Sequence, residues 1–142
     1  MDKDLQRNII LEHYQNPLHR GRTNDNSYQK INNNNVSCID NIDVYVKVEN
    51  DIIEDILFDG EACVISISST SIMTDLLIGK TISEALNIID NYKKMINEEE
   101  YDKEVLKEAL VYSDVSKQPS RINCATLSIL GIEKILKEKV NK

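Results

Sequence analysis

The stretch DVYVKVENDIIEDILFDGEAC, residues 43–63, decides the fold expected for this chain of 142 residues. Apolar side chains alternate along its first half with the period of a half-buried strand, at Val44, Val46 and Val48. The Asn50-Asp51 pair suits a two-residue hairpin turn, and residues 53–58 supply the returning strand. The sequence therefore predicts an antiparallel hairpin that ends shortly before Cys63.

Helices are predicted on both sides of this hairpin. A first helix covers residues 3–15 and stops before Pro17, and residues 64–79 have the small, hydroxylic composition of a buried helix capped by Gly79. Further helices are expected from the Thr81-Ile82-Ser83-Glu84 capping box to residue 96, over residues 98–112, and over residues 120–139 with an apolar stripe. Together these elements indicate an α+β fold, a small antiparallel β-sheet covered by α-helices.

The composition excludes several functional classes. A net charge of −7 without a basic stripe argues against nucleic acid as a partner. Three cysteines at wide separations are a poor disulfide framework, and neither a signal peptide nor an apolar run of membrane length is present. We therefore expect a protein of the reducing cytoplasm with no membrane partner. Residues 19–35 are interpreted as a polar, mobile loop.

Three cysteines and one aspartate are the candidate metal ligands. Cys38 and Asp40 are two residues apart, so their side chains project the same way from an extended segment. Cys63 lies at a strand-to-helix junction, where helix N–H groups favour a thiolate, and Cys124 lies at the flank of the last helix's apolar stripe. If they converge, three sulfurs and one oxygen can close a tetrahedral zinc shell. The ordinary alternative for each thiol is a small buried hydrophobic side chain.

Arg121, the two histidines and a run of hydroxyl residues can each have a structural role instead of a role at the site. Arg121 precedes Cys124 by three residues, and a guanidinium beside several thiolates would stabilise them and lower their pKa values. Its alternative role is a surface charge near a helix start. His13 and His19 are weaker ligand candidates, since one lies on the inner side of a helix and the other in a polar loop. The hydroxyl-rich run over residues 66–71 is interpreted as close helix packing.

Four segments, in this order and spacing, carry a family resemblance: His13-Tyr14-Gln15-Asn16-Pro17, Cys38-Ile39-Asp40, Phe58-Asp59-Gly60-Glu61-Ala62-Cys63 and Arg121-Ile122-Asn123-Cys124. With them the chain resembles the SufU-type branch of the IscU/NifU-like iron–sulfur cluster assembly family. The long interval between Cys63 and Cys124, and the lack of a histidine directly before Cys124, favour that branch. The resemblance implies a single IscU/SufU-like domain over residues 1–142 with the SufE/NifU-like fold.

The function that this resemblance implies is zinc-dependent sulfur carriage. In the family, a SufS-type cysteine desulfurase makes a persulfide, and one of its histidines displaces the carrier's first cysteine from Zn²⁺. That cysteine, here Cys38, then accepts the sulfur. The resemblance implies that Cys38, Asp40, Cys63 and Cys124 hold the metal, and that Cys38 and Arg121 serve the transfer. Sulfur would pass to downstream iron–sulfur assembly proteins, which would make the chain a sulfurtransferase.

Two alternatives use the same residues. One is a non-enzymatic scaffold that builds a [2Fe–2S] or [4Fe–4S] cluster on Cys38, Cys63 and Cys124. The other is a purely structural zinc site, which the carboxylate disfavours because a stability site gains from four strong donors.

One residue departs from the family pattern, since Ile39 stands where glycine is usual. A β-branched residue disfavours positive φ, so this segment is expected to be extended or to shift its geometry.

Overall fold

The structure is a computed structural model that describes residues 2–35 and 39–140. Its elements in chain order are α1 (Lys3–Gln15), β1 (Tyr28–Asn34), β2 (Asn41–Glu49), β3 (Ile52–Glu61), α2 (Val64–Leu77), α3 (Ile82–Ile96), two 3₁₀ helices (Lys107–Tyr112 and Val115–Lys117) and α4 (Pro119–Val140). The strands form one antiparallel sheet in the order β1-β2-β3, and α2 and α4 pack against it. This arrangement confirms the predicted α+β fold.

The predicted hairpin is the centre of the sheet. Val44 pairs with Phe58 across β2 and β3, and both side chains are fully buried. Asn50 and Asp51 connect the strands with φ angles of 52° and 66°, the left-handed values that a type I′ turn needs. The hairpin therefore has the turn that its sequence predicts, and its register shifts by one residue between Lys47 and Val48, as at a β-bulge.

The prediction of a polar loop over residues 19–35 is wrong in its second half, because β1 lies there. Backbone pairing with β2 forms this edge strand, and its polar side chains do not oppose that pairing. On its inner face, Asn33 is buried against α4 at Gly131. A Cβ atom at Gly131 would lie 2.1 Å from Asn33 Oδ1, so the glycine allows the strand and the helix to pack closely.

The segment before β1 is also attached to the sheet. Two backbone hydrogen bonds of 2.8 and 3.1 Å join residues 19–21 to Phe58. Arg22 Nη1 then lies 2.7 Å from Asp43 Oδ2, and Asn32 Nδ2 donates to Asp43 Oδ1 at 2.9 Å. The hydrogen bond from Arg22 is the main cause that lowers the pKa of Asp43, followed by that from Asn32. The Asp43 carboxylate therefore ties together β1, β2 and the chain that precedes them.

Helix α2 is buried and confirms the predicted close packing of its hydroxyl groups. Thr70 Oγ1 donates to Ser128 Oγ of α4 at 2.8 Å, and Tyr112 Oη donates to Ser68 Oγ at 2.6 Å. Within residues 2–35 and 39–140, no buried side-chain nitrogen or oxygen lacks a hydrogen-bond partner. Gly79, with φ of 86°, follows the end of the helix as predicted.

The second half of the chain contains one wrong helix prediction. Over residues 98–112 only the last part is helical, and it is a 3₁₀ helix. Leu106, Ala109 and Tyr112 are fully buried, and their spacing of three matches the 3₁₀ period instead of the α-helical one. The helices predicted on either side are confirmed, α3 with its capping box. No helix in the part of the chain that the structure describes is long and apolar enough to cross a membrane.

We predict that Asp43→Asn lowers the free energy of unfolding by about 1 kcal/mol at pH 7, because the charge-assisted bonds to Arg22 and Asn32 weaken. Asp43 has a folded-state pKa below its ordinary 3.8. Its contribution is therefore present above that ordinary value and is lost as the pH falls through the lowered folded-state value. The difference between variant and wild type in thermal melts should shrink as the pH is lowered below 3.8.

The matched control is Asp90→Asn, which removes an exposed helical ion pair of 3.1 Å with Lys94. It should change stability by no more than a few tenths of a kcal/mol. An Asp43→Asn variant as stable as wild type at pH 7, or equally destabilised at pH 2 and pH 7, would contradict the role given to this carboxylate.

Candidate metal centre

Three separate elements carry the candidate ligands to one place. Asp40 directly precedes β2, Cys63 follows β3 and caps the N-terminus of α2, and Cys124 lies in the second turn of α4. Asn41 pairs with Glu61 in the sheet. Because of this register, the residues just outside the two strand ends, Asp40 and Cys63, are neighbours.

Gly60 makes the approach of these strand ends possible. Its φ is 146°, and a Cβ atom there would lie 2.1 Å from the backbone oxygen of Asn41. A side chain at this position would therefore collide with backbone, and L residues rarely adopt this φ. Glycine here allows the backbone that leads to Asp40 to lie against the backbone that leads to Cys63.

The ligand atoms of Asp40, Cys63 and Cys124 all lie within 4.8 Å of one another. Asp40 and Cys124 are buried and Cys63 is half-buried. With metal–ligand distances of about 2.0–2.3 Å, the ligands of a tetrahedral zinc ion are separated by roughly 3.3–3.8 Å. Two sulfurs and one carboxylate oxygen at this spacing fit a divalent metal with a small closing movement, and they leave a fourth position for a further ligand.

Protein groups already hold both oxygens of the Asp40 carboxylate. The Cys63 backbone N–H donates to Oδ1 at 2.8 Å, and the Ser66 hydroxyl donates to Oδ2 at 2.6 Å. Oδ2 also lies 3.8 Å from Cys63 Sγ, and the Ser66 hydroxyl lies 3.4 Å from the same sulfur. The carboxylate is thus fixed at the N-terminus of α2 with one oxygen turned toward the thiols.

The site resists deprotonation when no cation is bound. Burial, and after it the neighbouring Cys63 and Asp40, together raise the pKa of the Cys124 thiol to about 12. Negative charge is unfavourable in a buried cluster of three acidic groups. A divalent cation would reverse this balance by stabilising the thiolates, so metal binding would release protons.

The two other predicted site residues are Cys38 and Arg121. Cys38 lies outside the described residues, which resume at Ile39. Arg121 is exposed and lines a groove that α1 and α4 share. The causes of the raised pKa of Cys124 are burial and two acidic neighbours, and the lowering expected from Arg121 is not among them.

The two histidines are occupied away from the thiols, as the sequence indicates. Buried His13 lies with Nδ1 2.8 Å from Ser71 Oγ and with Nε2 3.2 Å from Glu108 Oε1. His19 Nε2 contacts Asp75 at 3.0 Å. His13 therefore joins α1 to α2 and to the first 3₁₀ helix.

Ser66 is a site residue that the sequence does not single out. The composition of α2 predicts close packing for all its hydroxyl residues, yet the Ser66 side chain contacts Asp40 and Cys63. The signal was its position three residues after a cysteine that begins a helix. A residue at that helical position faces the capping side chain.

Ile39 follows the conformation expected for a β-branched residue. It is not among the residues with positive φ, and its side chain is 77% exposed. The segment next to Asp40 therefore accepts isoleucine where the family usually has glycine. The replacement leaves an apolar side chain exposed beside the candidate ligands.

Residues 5–125 match the NifU-like N terminal domain family. The chain is 40% identical over 131 residues to the zinc-dependent sulfurtransferase SufU of Bacillus subtilis, covering 92% of this chain and 88% of the relative. It is 36% identical to the iron–sulfur cluster assembly scaffold protein IscU of Streptococcus pyogenes, covering 94% of this chain and 83% of the relative.

A solved structure gives the same result. The crystal structure of FiSufU from Fervidobacterium islandicum AW-1 superimposes with a TM-score of 0.79 and 32% sequence identity, covering 84% of this chain and 87% of that one. The family match spans the three strands and all three candidate ligands described above. The chain is therefore a member of the NifU-like N-terminal domain family of iron–sulfur cluster assembly proteins, with SufU and IscU proteins among its relatives.

Proposed function

We propose that this protein is a zinc-dependent sulfur carrier that accepts sulfur on Cys38 from a SufS-type cysteine desulfurase. The observation that carries the proposal is the cluster of Asp40, Cys63 and Cys124, in which a carboxylate shares the site with two thiols. The 40% identity to a protein named a zinc-dependent sulfurtransferase supports it. Cys38, two residues before Asp40, is the proposed fourth ligand.

A bound zinc ion would keep the thiols deprotonated at neutral pH. The protein holds two of these sulfurs on well-fixed elements, since Cys63 caps α2 and Cys124 lies within α4. Asp40 instead directly precedes β2, and Cys38 comes two residues before it in the sequence. The proposed set therefore combines two sulfurs on helices with a carboxylate and a third sulfur that are close together in the sequence.

Asp40 is suited to be an exchangeable ligand. A carboxylate oxygen is a harder donor than a thiolate and binds zinc less strongly. The Ser66 hydroxyl and the Cys63 N–H already donate hydrogen bonds to its two oxygens. A carboxylate that leaves the metal therefore keeps hydrogen-bond partners in its buried position. These hydrogen bonds stabilise the state in which Asp40 has left the metal, which leaves a coordination position open to an incoming ligand.

The transfer that we propose is a thiol–persulfide exchange. The Cys38 thiolate attacks the outer sulfur of the persulfide on the desulfurase cysteine, forming a new S–S bond. The S–S bond to the donor cysteine breaks, and that cysteine leaves as a thiolate. Cys38 then carries the persulfide, and no external oxidant or reductant is needed. Downstream iron–sulfur assembly proteins are the proposed recipients.

The second candidate function is a scaffold on which an iron–sulfur cluster is assembled as cargo. The 36% identity to a scaffold protein favours it. Cys38, Cys63 and Cys124 would bind the iron, and the last two lie together in the structure. Metal content separates the two functions. Protein purified without oxygen should be colourless with one zinc per chain if it is a carrier, and brown with equal iron and sulfide if it is a scaffold.

Persulfide mapping tests the acceptor residue. After incubation with a SufS-type desulfurase, pyridoxal phosphate and cysteine, intact-mass and peptide analysis should place the added sulfur on Cys38. Cys38→Ser should abolish acceptance and stimulation of the desulfurase, while zinc and fold survive in part on the other three ligands. Cys63→Ser is the matched control and should lose zinc and thermal stability together. Sulfur found only on Cys63 or Cys124, or full stimulation by Cys38→Ser, would reject the carrier function.

Removal of the Ser66 hydroxyl tests the exchange of Asp40. Ser66→Ala takes away the donor that holds the carboxylate off the metal, so zinc release to a chelator should slow by about tenfold, the equivalent of one charge-assisted hydrogen bond. Ser69→Ala is the matched control, because Ser69 is equally buried on α2 but donates to the Ser66 backbone oxygen. Faster zinc release from Ser66→Ala would show instead that Ser66 orients the bound carboxylate.

A further inference from the structure

The four arginines of this chain fall into two groups. Arg20 and Arg22 form ion pairs with aspartates of the sheet at distances of 2.7–3.3 Å. Arg7 and Arg121 form no ion pair or side-chain hydrogen bond with any residue in the described ranges, 2–35 and 39–140. Both unpaired arginines line the same groove on the surface.

This arginine groove has a volume of about 480 Å³ and lies between α1, the start of α2, the second 3₁₀ helix and the start of α4. Its charged residues are Lys3, Arg7, Asp114, Lys117 and Arg121. The single carboxylate is 3.5 Å from the lysine of its own 3₁₀ helix. Lys3, Arg7 and Arg121 therefore have no ion-pair partner among the residues that the structure describes, in a chain whose net charge is −7.

Apolar side chains form the rest of the groove. Ile10 and Leu11 contribute from α1, Ile65 from α2, and the buried Val115 from the second 3₁₀ helix. Leu11 is 36% exposed. Arginine beside apolar surface is the composition that protein interfaces favour, because the guanidinium binds carboxylates in a bidentate manner and its stem packs on apolar groups.

The arginine groove adjoins the candidate metal centre. Val64 and Ile65 of its wall directly follow Cys63, and Arg121 lies one helical turn before Cys124. A protein segment bound in the groove would therefore lie next to the thiols. α1 supplies the opposite wall and carries none of the candidate ligands.

We propose that the arginine groove docks an acidic segment of the sulfur-donating desulfurase, with carboxylates on Arg7 and Arg121 and an apolar side chain on Ile10 and Ile65. This inference rests on the proposed sulfur-carrier function and adds the surface that selects the donor. Charge complementarity indicates the occupant, since the unpaired cations of an otherwise acidic surface attract carboxylates. The apolar wall indicates a protein segment in preference to a small anion.

The test is the affinity for a SufS-type desulfurase, measured by calorimetry with the zinc-loaded full chain at 50 and 300 mM NaCl. Arg7→Glu should raise the Kd at least tenfold at low salt and flatten its salt dependence, because a docking cation is replaced by an anion. Arg7→Lys should keep most of the affinity. Zinc content and melting temperature should stay unchanged, because Arg7 is exposed on a helix without ligands.

Lys134→Glu is the matched control, with the same change of charge on an exposed side chain of α4 outside the groove. It should leave the Kd within about twofold of wild type. Arg121→Glu should weaken binding as Arg7→Glu does. Equal effects of Arg7→Glu and Lys134→Glu would overturn the docking surface.

Sulfur transfer measured on the same samples separates this inference from the proposed function. If wild type gains a persulfide on Cys38 while Arg7→Glu binds normally, the carrier function stands and the docking surface is rejected. If binding depends on Arg7 but no persulfide forms, the docking surface stands and the carrier function is rejected. A wild-type chain that does not bind the desulfurase overturns both.

Discussion

The backbone contact between Gly60 and Asn41 is the constraint on which the site depends. It closes the end of the central hairpin, and the two residues that continue from this end are Asp40 and Cys63. A Cβ atom at position 60 would lie 2.1 Å from the Asn41 backbone oxygen, so a side chain there would force the strands apart. The third candidate ligand, Cys124, reaches the same point because α4 packs on β1 and β2. The candidate metal centre is therefore a product of sheet closure and helix packing together.

The chemistry of the site depends on the environment of the Asp40 carboxylate at this end of the hairpin. Asp40 is buried beside two thiols, yet the Cys63 N–H and the Ser66 hydroxyl satisfy its oxygens. Hydrogen bonds that a carboxylate can keep without the metal add little to a structural zinc site, because the ligands of such a site stay bound. A carrier or scaffold gains from them, since a ligand that can leave without an unpaired charge allows exchange. The hydrogen bonds to Asp40 at the N-terminus of α2 thus support the proposal of an exchangeable metal over that of a structural one.

Much of this fold could be predicted from the sequence, because its local sequence patterns favour the same elements as its tertiary contacts do. The hairpin, the α3 capping box and the α4 stripe each have a period or turn residue that only one structure satisfies. β1 could not be predicted, because this strand forms by pairing with β2 and its side chains, such as Asn33, are polar and have no strand pattern. The convergence of Asp40, Cys63 and Cys124 was suggested by family resemblance, whereas the contact of Ser66 with Asp40 arises only in three dimensions.

Zinc-edge X-ray absorption of the purified protein, compared with its Cys38→Ser variant, tests the proposed ligand set. We expect a four-coordinate shell with sulfur at about 2.3 Å and one oxygen at about 2.0 Å, and a shell with one sulfur fewer in the zinc that the variant retains. A wild-type shell of nitrogen and oxygen alone, or a variant spectrum identical to that of wild type, would contradict the proposed ligand set.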